Sequence, residues 1–131
     1  MNDRTWLIPA VRMKANKDHR VPLSPRAFEI VRALHEKRTG EFVFPGAKPG
    51  RPLSNMAMLM QLRRLKVPVT VHGFRSSFRD WTGDQTNFPR EVAEHALAHA
   101  VGDDTERSYR RGDALKKRKK LMSAWADYLD K

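Results

Sequence analysis

Apolar positions in this chain fall first in two short extended blocks and then in stripes at helical spacing. Thr5 to Pro9 (TWLIP) is β-prone and stopped by proline, and Arg20 to Leu23 (RVPL) is a second extended block. The polar stretch Met13 to His19 between them predicts a β-hairpin with a basic tip. Pro22 has no N–H to give to a ladder, so its strand belongs at a sheet edge. Ser24-Pro25 then reads as N-cap plus first helical position, ahead of a stripe of Ala27, Phe28, Ile30, Val31 and Leu34 that Gly40 should close. Ser54 is expected to cap a second helix to about Leu65. A third should run from Gly73 to Thr82, with Phe74, Phe78 and Trp81 on one side and Gly83 as its stop. Pro89 opens a fourth helix carrying Val92, Ala93, Ala96 and Leu97, broken at Gly102-Asp103-Asp104. A short helix with Thr105 and Tyr109 follows, and Asp113 caps a last helix, Ala114 to Leu129. The expected fold class is mainly α with a small N-terminal β-hairpin, residues 1–23 forming the hairpin and 24–131 the helical part.

Charge changes this picture most. The chain has 131 residues, 26 Lys plus Arg against 15 Asp plus Glu, and a formal net charge of +11. Such a surface favours a polyanion, because phosphate binding releases condensed counterions. The length suits one domain with a core of its own. The longest apolar-looking stretch, Asn55 to Leu62, is far short of the ~20 residues needed to span a bilayer. No secretion signal is read at the front, and there is no cysteine, so the cytoplasm is the expected compartment and thiolate metal sites are excluded. His95 and His99 are four apart, a spacing that can bind zinc on a helix face, but no HExxH pattern accompanies them, and neither a metal nor another cofactor is expected.

Four features that can carry chemistry stand in order: Lys14 in the hairpin, His72-Gly73-Phe74-Arg75, His99 on the fourth helix, and Tyr109 ten residues after it. Each has an ordinary reading by itself. Tyr109 could be a core tyrosine, and His72 a helix-start histidine. The run Lys116 to Lys120 could be a solvated helix face or could touch phosphates. Trp81 and Trp125 fall on apolar stripes and read as core, and Tyr128 reads as packing.

Together these features change meaning. The stretches RMKANKDHRVPLS (12–24), VHGFRSSFRDW (71–81) and ALAHAVGDDTERSYRRGDALKKRKKLMSAWADYL (96–129) resemble the tyrosine recombinases of the phage integrase family. HxxR alone is weak; HGFRSSFRDW followed by LAHxxxxxTxxxY is specific, and the likeness runs over nearly the whole chain. It implies the C-terminal part of a recombinase catalytic domain, with Tyr109 as the nucleophile that forms a 3′-phosphotyrosyl link and frees a 5′-hydroxyl. A tyrosine with pKa ~10 must be activated or positioned for this, and the covalent link stores the bond for rejoining. The resemblance makes Arg75 the second arginine of the pocket, suited to a phosphate by its paired donors. It makes His72 its companion, His99 a donor to a non-bridging oxygen, and Lys14 the general acid, with Lys17 as the competing choice. Lys14 is preferred because it is read as lying directly after the first strand.

The family pocket takes a further arginine from a helix ahead of the first strand. Arg4 and Arg12 lie in or beside the hairpin and do not replace it. The chain is therefore expected to lack that arginine and the N-terminal core-binding domain, and to be inactive alone. The implied function is site-specific recombination or integration on double-stranded attachment-site DNA of a mobile element, with a homo-tetramer on the DNA. The alternative is a non-catalytic integrase remnant that binds DNA or modulates a full-length integrase. The last helix is expected to pack on its own domain, or else to exchange with a second copy.

Overall fold

The computed structural model describes residues 4–99 and 114–131. The expected hairpin is present, moved by one residue: β1 (Thr5–Ile8) pairs antiparallel with β2 (His19–Pro22), Thr5 opposite Pro22 and Ile8 opposite His19. Its connection is more than a turn. A 3-10 turn at Ala10–Arg12 follows Pro9, the Ala10 N–H donates to Asp18 Oδ1 at 2.8 Å, and Asn16 adopts a left-handed conformation (φ 49°). Asparagine tolerates that region because its short polar side chain can bond locally. Lys14 is consequently on the tip, beyond this turn, and not directly after the strand.

Helix α1 (Pro25–Lys37) starts as its sequence dictates. Ser24 is extended, and its Oγ accepts the Ala27 N–H at 3.2 Å. It stops at Lys37, ahead of Gly40, where Arg38 turns extended. Helix α2 (Ala57–Arg64) begins later than expected, because the Ser54 carbonyl, not its hydroxyl, takes the Ala57 N–H at 3.0 Å and closes a turn first. Between these helices Pro45 and Pro52 form an isolated bridge, and a Cβ on Gly46 would lie 2.4 Å from the Pro52 carbonyl oxygen, so glycine is required there.

The core belongs to α3 (Gly73–Gln85), α4 (Arg90–Ala96) and α5 (Leu115–Leu129). Phe78 and Trp81 of α3 meet Val92 and Ala93 of α4, Leu97 just after it, and Leu121 of α5. Val92 and Leu121 are fully buried. Trp125 stands edge-on to Phe78 at 5.5 Å between centroids and packs on Trp81 at 4.9 Å. Tyr128 completes the cluster against Trp81 and Trp125, each at 5.5 Å. Aromatic pairs of this kind contribute about 0.5–1.5 kcal/mol beyond area burial. The last helix thus packs in cis. Phe74, expected on the same face as Phe78 and Trp81, is half exposed.

Gly83 does not end α3. A glycine within a helix costs roughly 1 kcal/mol, less than the burial of Trp81 and Thr82 beside it contributes. Thr82 Oγ1 donates to the Phe78 carbonyl at 2.8 Å and Thr86 Oγ1 to the Thr82 carbonyl at 2.6 Å, and the helix ends where Thr86 turns extended.

The basic run on α5 is not uniformly solvated either. Lys116, Lys117, Lys119 and Lys120 are exposed, whereas Arg118 is 1% exposed and its Nη2 donates to the Arg20 carbonyl of β2. Arg118, Leu121 and Trp125 follow at spacings of three and four, so the arginine lies on the apolar stripe. Its guanidinium ties the helical layer to the hairpin.

Helix α4 ends at Ala96, well before Gly102. The Ala98 N–H donates to the His95 carbonyl at 3.2 Å, the His99 N–H to the Glu94 carbonyl at 2.9 Å, and Ala98 sits between them at φ 57°. These are the two bonds of a Schellman ending, whose left-handed position favours glycine. A non-glycine residue there costs roughly 1–2 kcal/mol. Ala98→Gly is expected to stabilise the fold by about 1 kcal/mol, read as a higher denaturant midpoint at unchanged slope. His99 accordingly stands beyond the helix, not on it, and the His95–His99 pairing on one helix face does not form.

Candidate active site

Thr70 starts the site. Its Oγ1 accepts the Gly73 N–H at 3.0 Å, which fixes the entry into α3. From there His72, Arg75 and Arg79 follow at spacings of three and four, on one side of the helix, while Phe78, Trp81 and Thr82 go to the core. The Schellman ending of α4 brings His99 back toward this basic side. Residues 24 apart in sequence then meet: Arg75 Nη2 lies 2.8 Å from His99 Nε2 and also donates to the Leu97 carbonyl at 2.7 Å. Arg75 therefore also caps α4, where a cation complements the carbonyl end of the helix dipole.

Glu94, on the last turn of α4, completes the cluster. It is 9% exposed, and its Oε2 takes His99 Nδ1 at 2.5 Å. Arg79 Nε approaches Oε1 at 2.9 Å and Arg90 Nε at 3.7 Å. A guanidinium carries only donors. His99 Nε2 is thus an acceptor, and the imidazole proton sits on Nδ1, facing the carboxylate. Two arginines at the one carboxylate, with Arg75 on the far side of the His99 ring, leave a surplus of positive charge, open to solvent along Arg75, Arg79 and His99.

The hydrogen bond from His99 is the main cause that holds the Glu94 carboxyl below its ordinary range; burial opposes it and the Arg79 charge adds to it. A lowered folded-state value means that ionised Glu94 stabilises the fold above the ordinary carboxylate range. This contribution is lost as pH falls through the folded value. Glu94→Gln is expected to flatten the loss of stability on acidification, checked by denaturant midpoints along a pH series. An unchanged pH dependence would remove Glu94 from the acid-sensitive groups.

Of the residues singled out from sequence, the structure brings together Arg75 and His99. His72 precedes α3, exposed, and its side chain bonds to no other described residue; the same holds for Lys14 and Lys17 at the hairpin tip. Tyr109 lies outside the described residues, as do Thr105 and Asp113. Arg4 places its guanidinium over the Phe28 ring at 5.8 Å, and Arg12 is exposed at the end of the 3-10 turn. Glu94 and Arg79 were not singled out. The available signals were that Arg79 repeats Arg75 one helical turn on, and that Glu94 precedes His99 by five. Among the described residues no three His, Asp or Glu side chains cluster as a metal site, and no helix is long and apolar enough to cross a membrane.

The conserved-domain model described as the phage integrase family matches residues 1–115. The chain is 38% identical to prophage integrase IntA of Escherichia coli K12 over 96% of its own length and 31% of the relative's. It is 35% identical to prophage integrase IntZ of the same organism, over 99% of the chain and 33% of the relative, and 32% identical to the integrase of Shigella phage Sf6, over 98% and 34%. This chain belongs to the phage integrase family. It spans about a third of the length of these relatives. No solved structure matches it.

Proposed function

We propose that this chain supplies the phosphate-clamping and nucleophile-bearing part of a site-specific DNA recombinase. The observation that carries this reading is the Arg75–His99 contact, in which two cationic or proton-donating groups from α3 and the end of α4 share one exposed point. A phosphodiester there receives paired donors from Arg75 and, once Nε2 carries a proton, a third from His99. Tyr109, ten residues downstream, attacks the phosphorus to form a 3′-phosphotyrosyl link as the bond to the 5′-oxygen breaks, and that departing oxygen takes a proton from Lys14 and leaves as a 5′-hydroxyl. Residues 1–131 stand for part of a catalytic domain, the hairpin 1–23 presenting the general acid and 24–131 the clamp. The substrate is double-stranded attachment-site DNA, held by a tetramer, and residues 1–131 act together with what corresponds to the remaining two thirds of the relatives.

The alternative, a non-catalytic remnant that holds DNA or modulates a full-length integrase, draws on a different observation. Helices α1 and α2 bury no residue, and Trp6, Leu7, Met56 and Met58 are each more than half exposed. Such apolar surface suits a partner segment.

The proposed reading and the DNA-holding form of the alternative require phosphate contact. The affinity for a mixed-sequence duplex is expected to fall steeply with salt, each neutralised phosphate adding about −0.9 to the log–log slope. Fluorescence anisotropy at several salt concentrations checks this, and an affinity indifferent to salt overturns it.

A further inference from the structure

We propose that Glu94 is a positioning residue that fixes the protonation of His99, so that a DNA phosphate enters the Arg75–His99 cluster only together with a proton. This rests on reading the cluster as a phosphate site.

The neighbours of the His99 ring select one neutral tautomer. Nδ1 meets the Glu94 carboxylate at 2.5 Å and Nε2 meets Arg75 Nη2 at 2.8 Å. Moving the proton to Nε2 would set an N–H against a guanidinium N–H and a bare nitrogen lone pair against a carboxylate, two repulsive contacts in place of two hydrogen bonds. The backbone allows no escape. The His99 N–H is bonded to the Glu94 carbonyl, and left-handed Ala98 holds that closure, so main chain and side chain of His99 are tied to one residue.

A phosphate oxygen accepts hydrogen bonds and cannot donate one. Facing it, the neutral ring offers only the Nε2 lone pair. Nε2 becomes a donor when the ring takes a proton from solvent, and the imidazolium then bonds through Nδ1 to Glu94 and through Nε2 to the phosphate. Arg75 Nη2, released from Nε2, turns its donors to the same anion. The groups that face this pair are Arg75 and Arg79 from α3, and Glu94 and Arg90 from α4, with His95 a neighbour on α4. The arginines keep their charge near neutral pH, and of the imidazoles near this cluster, His72 ahead of α3, His95 on α4 and His99, it is the His99 ring that is bonded to both Glu94 and Arg75.

The probe is a short mixed-sequence duplex, whose phosphodiesters do not titrate near neutral pH. Long-range 1H–15N correlation of the histidine rings reads each nitrogen directly. In the free protein His99 is expected to carry its proton on Nδ1 with Nε2 bare. On saturation with duplex both nitrogens should be protonated, and calorimetry in buffers of differing ionisation heat should register the uptake. Affinity should rise with acidification, by up to about tenfold per pH unit over the range in which the ring is neutral in the free protein and protonated in the complex. Glu94→Gln presents an amide that can donate to Nδ1, so a neutral ring can then offer Nε2–H. Its His99 should bind duplex without protonation, and the pH slope should lose that one-proton component. A His99 that already bears its proton on Nε2 in the free protein, or that shifts with duplex yet stays neutral, overturns the proposal alone. Duplex binding that leaves the His99 and Arg75 resonances unmoved overturns the phosphate-site reading itself. Should the glutamine variant fail to fold, the ring nitrogens of the unsubstituted protein decide by themselves.

Discussion

Arg75→Ala is expected to cut formation of a covalent protein–DNA complex by a few hundredfold, in a protein completed as described below. Loss of a single charged donor to a transition-state oxygen costs about 3–4 kcal/mol, and Arg75 is the residue that touches both His99 and the end of α4. The same substitution should reduce the salt slope of duplex binding by about 1. It should also destabilise the fold by roughly 1–3 kcal/mol, because the Leu97 carbonyl loses a charge-assisted partner. Arg75→Lys separates these effects. An ammonium can meet one acceptor as a point charge but lacks the planar fork, so stability should be partly recovered while adduct formation stays low. Equal rescue of both would show that Arg75 works through fold alone.

How far the sequence reveals this site depends on the element. The order of His72, Arg75 and His99 led to the expectation that all three converge on one cleft; the His72 side chain bonds to neither of the others, whereas Arg75 and His99 meet. Their mutual geometry was not legible, because it depends on a left-handed alanine. Nothing in Leu97-Ala98-His99 announces a positive φ; a glycine at 98 would have. Without that turn His99 reads as a continuation of α4, and Glu94, five residues before it, has no reason to be its partner. The caps show the same division. Ser24-Pro25 combines two signals that agree, and the helix starts there. Ser54 and Gly83 are single signals, and tertiary context overrides both: a backbone turn replaces the first cap, and burial of Trp81 and Thr82 carries α3 past the second. Arg118 was hidden by its neighbours, since a run of five cations reads as a solvated face unless each is placed against Leu121 and Trp125 on the helical wheel. The preference for Lys14 over Lys17 rested on adjacency to the first strand, and the 3-10 turn at Ala10–Arg12 removes that ground.

The second large effect concerns completeness. Alone, the chain is expected to yield no useful amount of covalent complex with a nicked attachment-site duplex. The chain spans 31% of the length of prophage integrase IntA, and the positioning of a nucleophile against phosphorus is sensitive to displacements of about 1 Å. Fusing this chain, in place of the matched segment, to the part of prophage integrase IntA that lies outside the match should restore the reaction, since that part holds about two thirds of the relative. The exposed apolar residues of β1 and α2 should become protected on fusion, which hydrogen exchange reads without reference to catalysis.

Trapping of the covalent complex on a nicked duplex, with the fused protein and its Tyr109→Phe variant side by side, tests the central claim most directly. The expected result is a denaturant-resistant, protease-sensitive adduct whose DNA-linked peptide contains Tyr109, absent in the phenylalanine variant while duplex binding stays within about twofold, since one hydroxyl is a small part of a phosphate-driven interface. An adduct of undiminished yield in the Tyr109→Phe variant, mapped to another residue such as Tyr128, would contradict it.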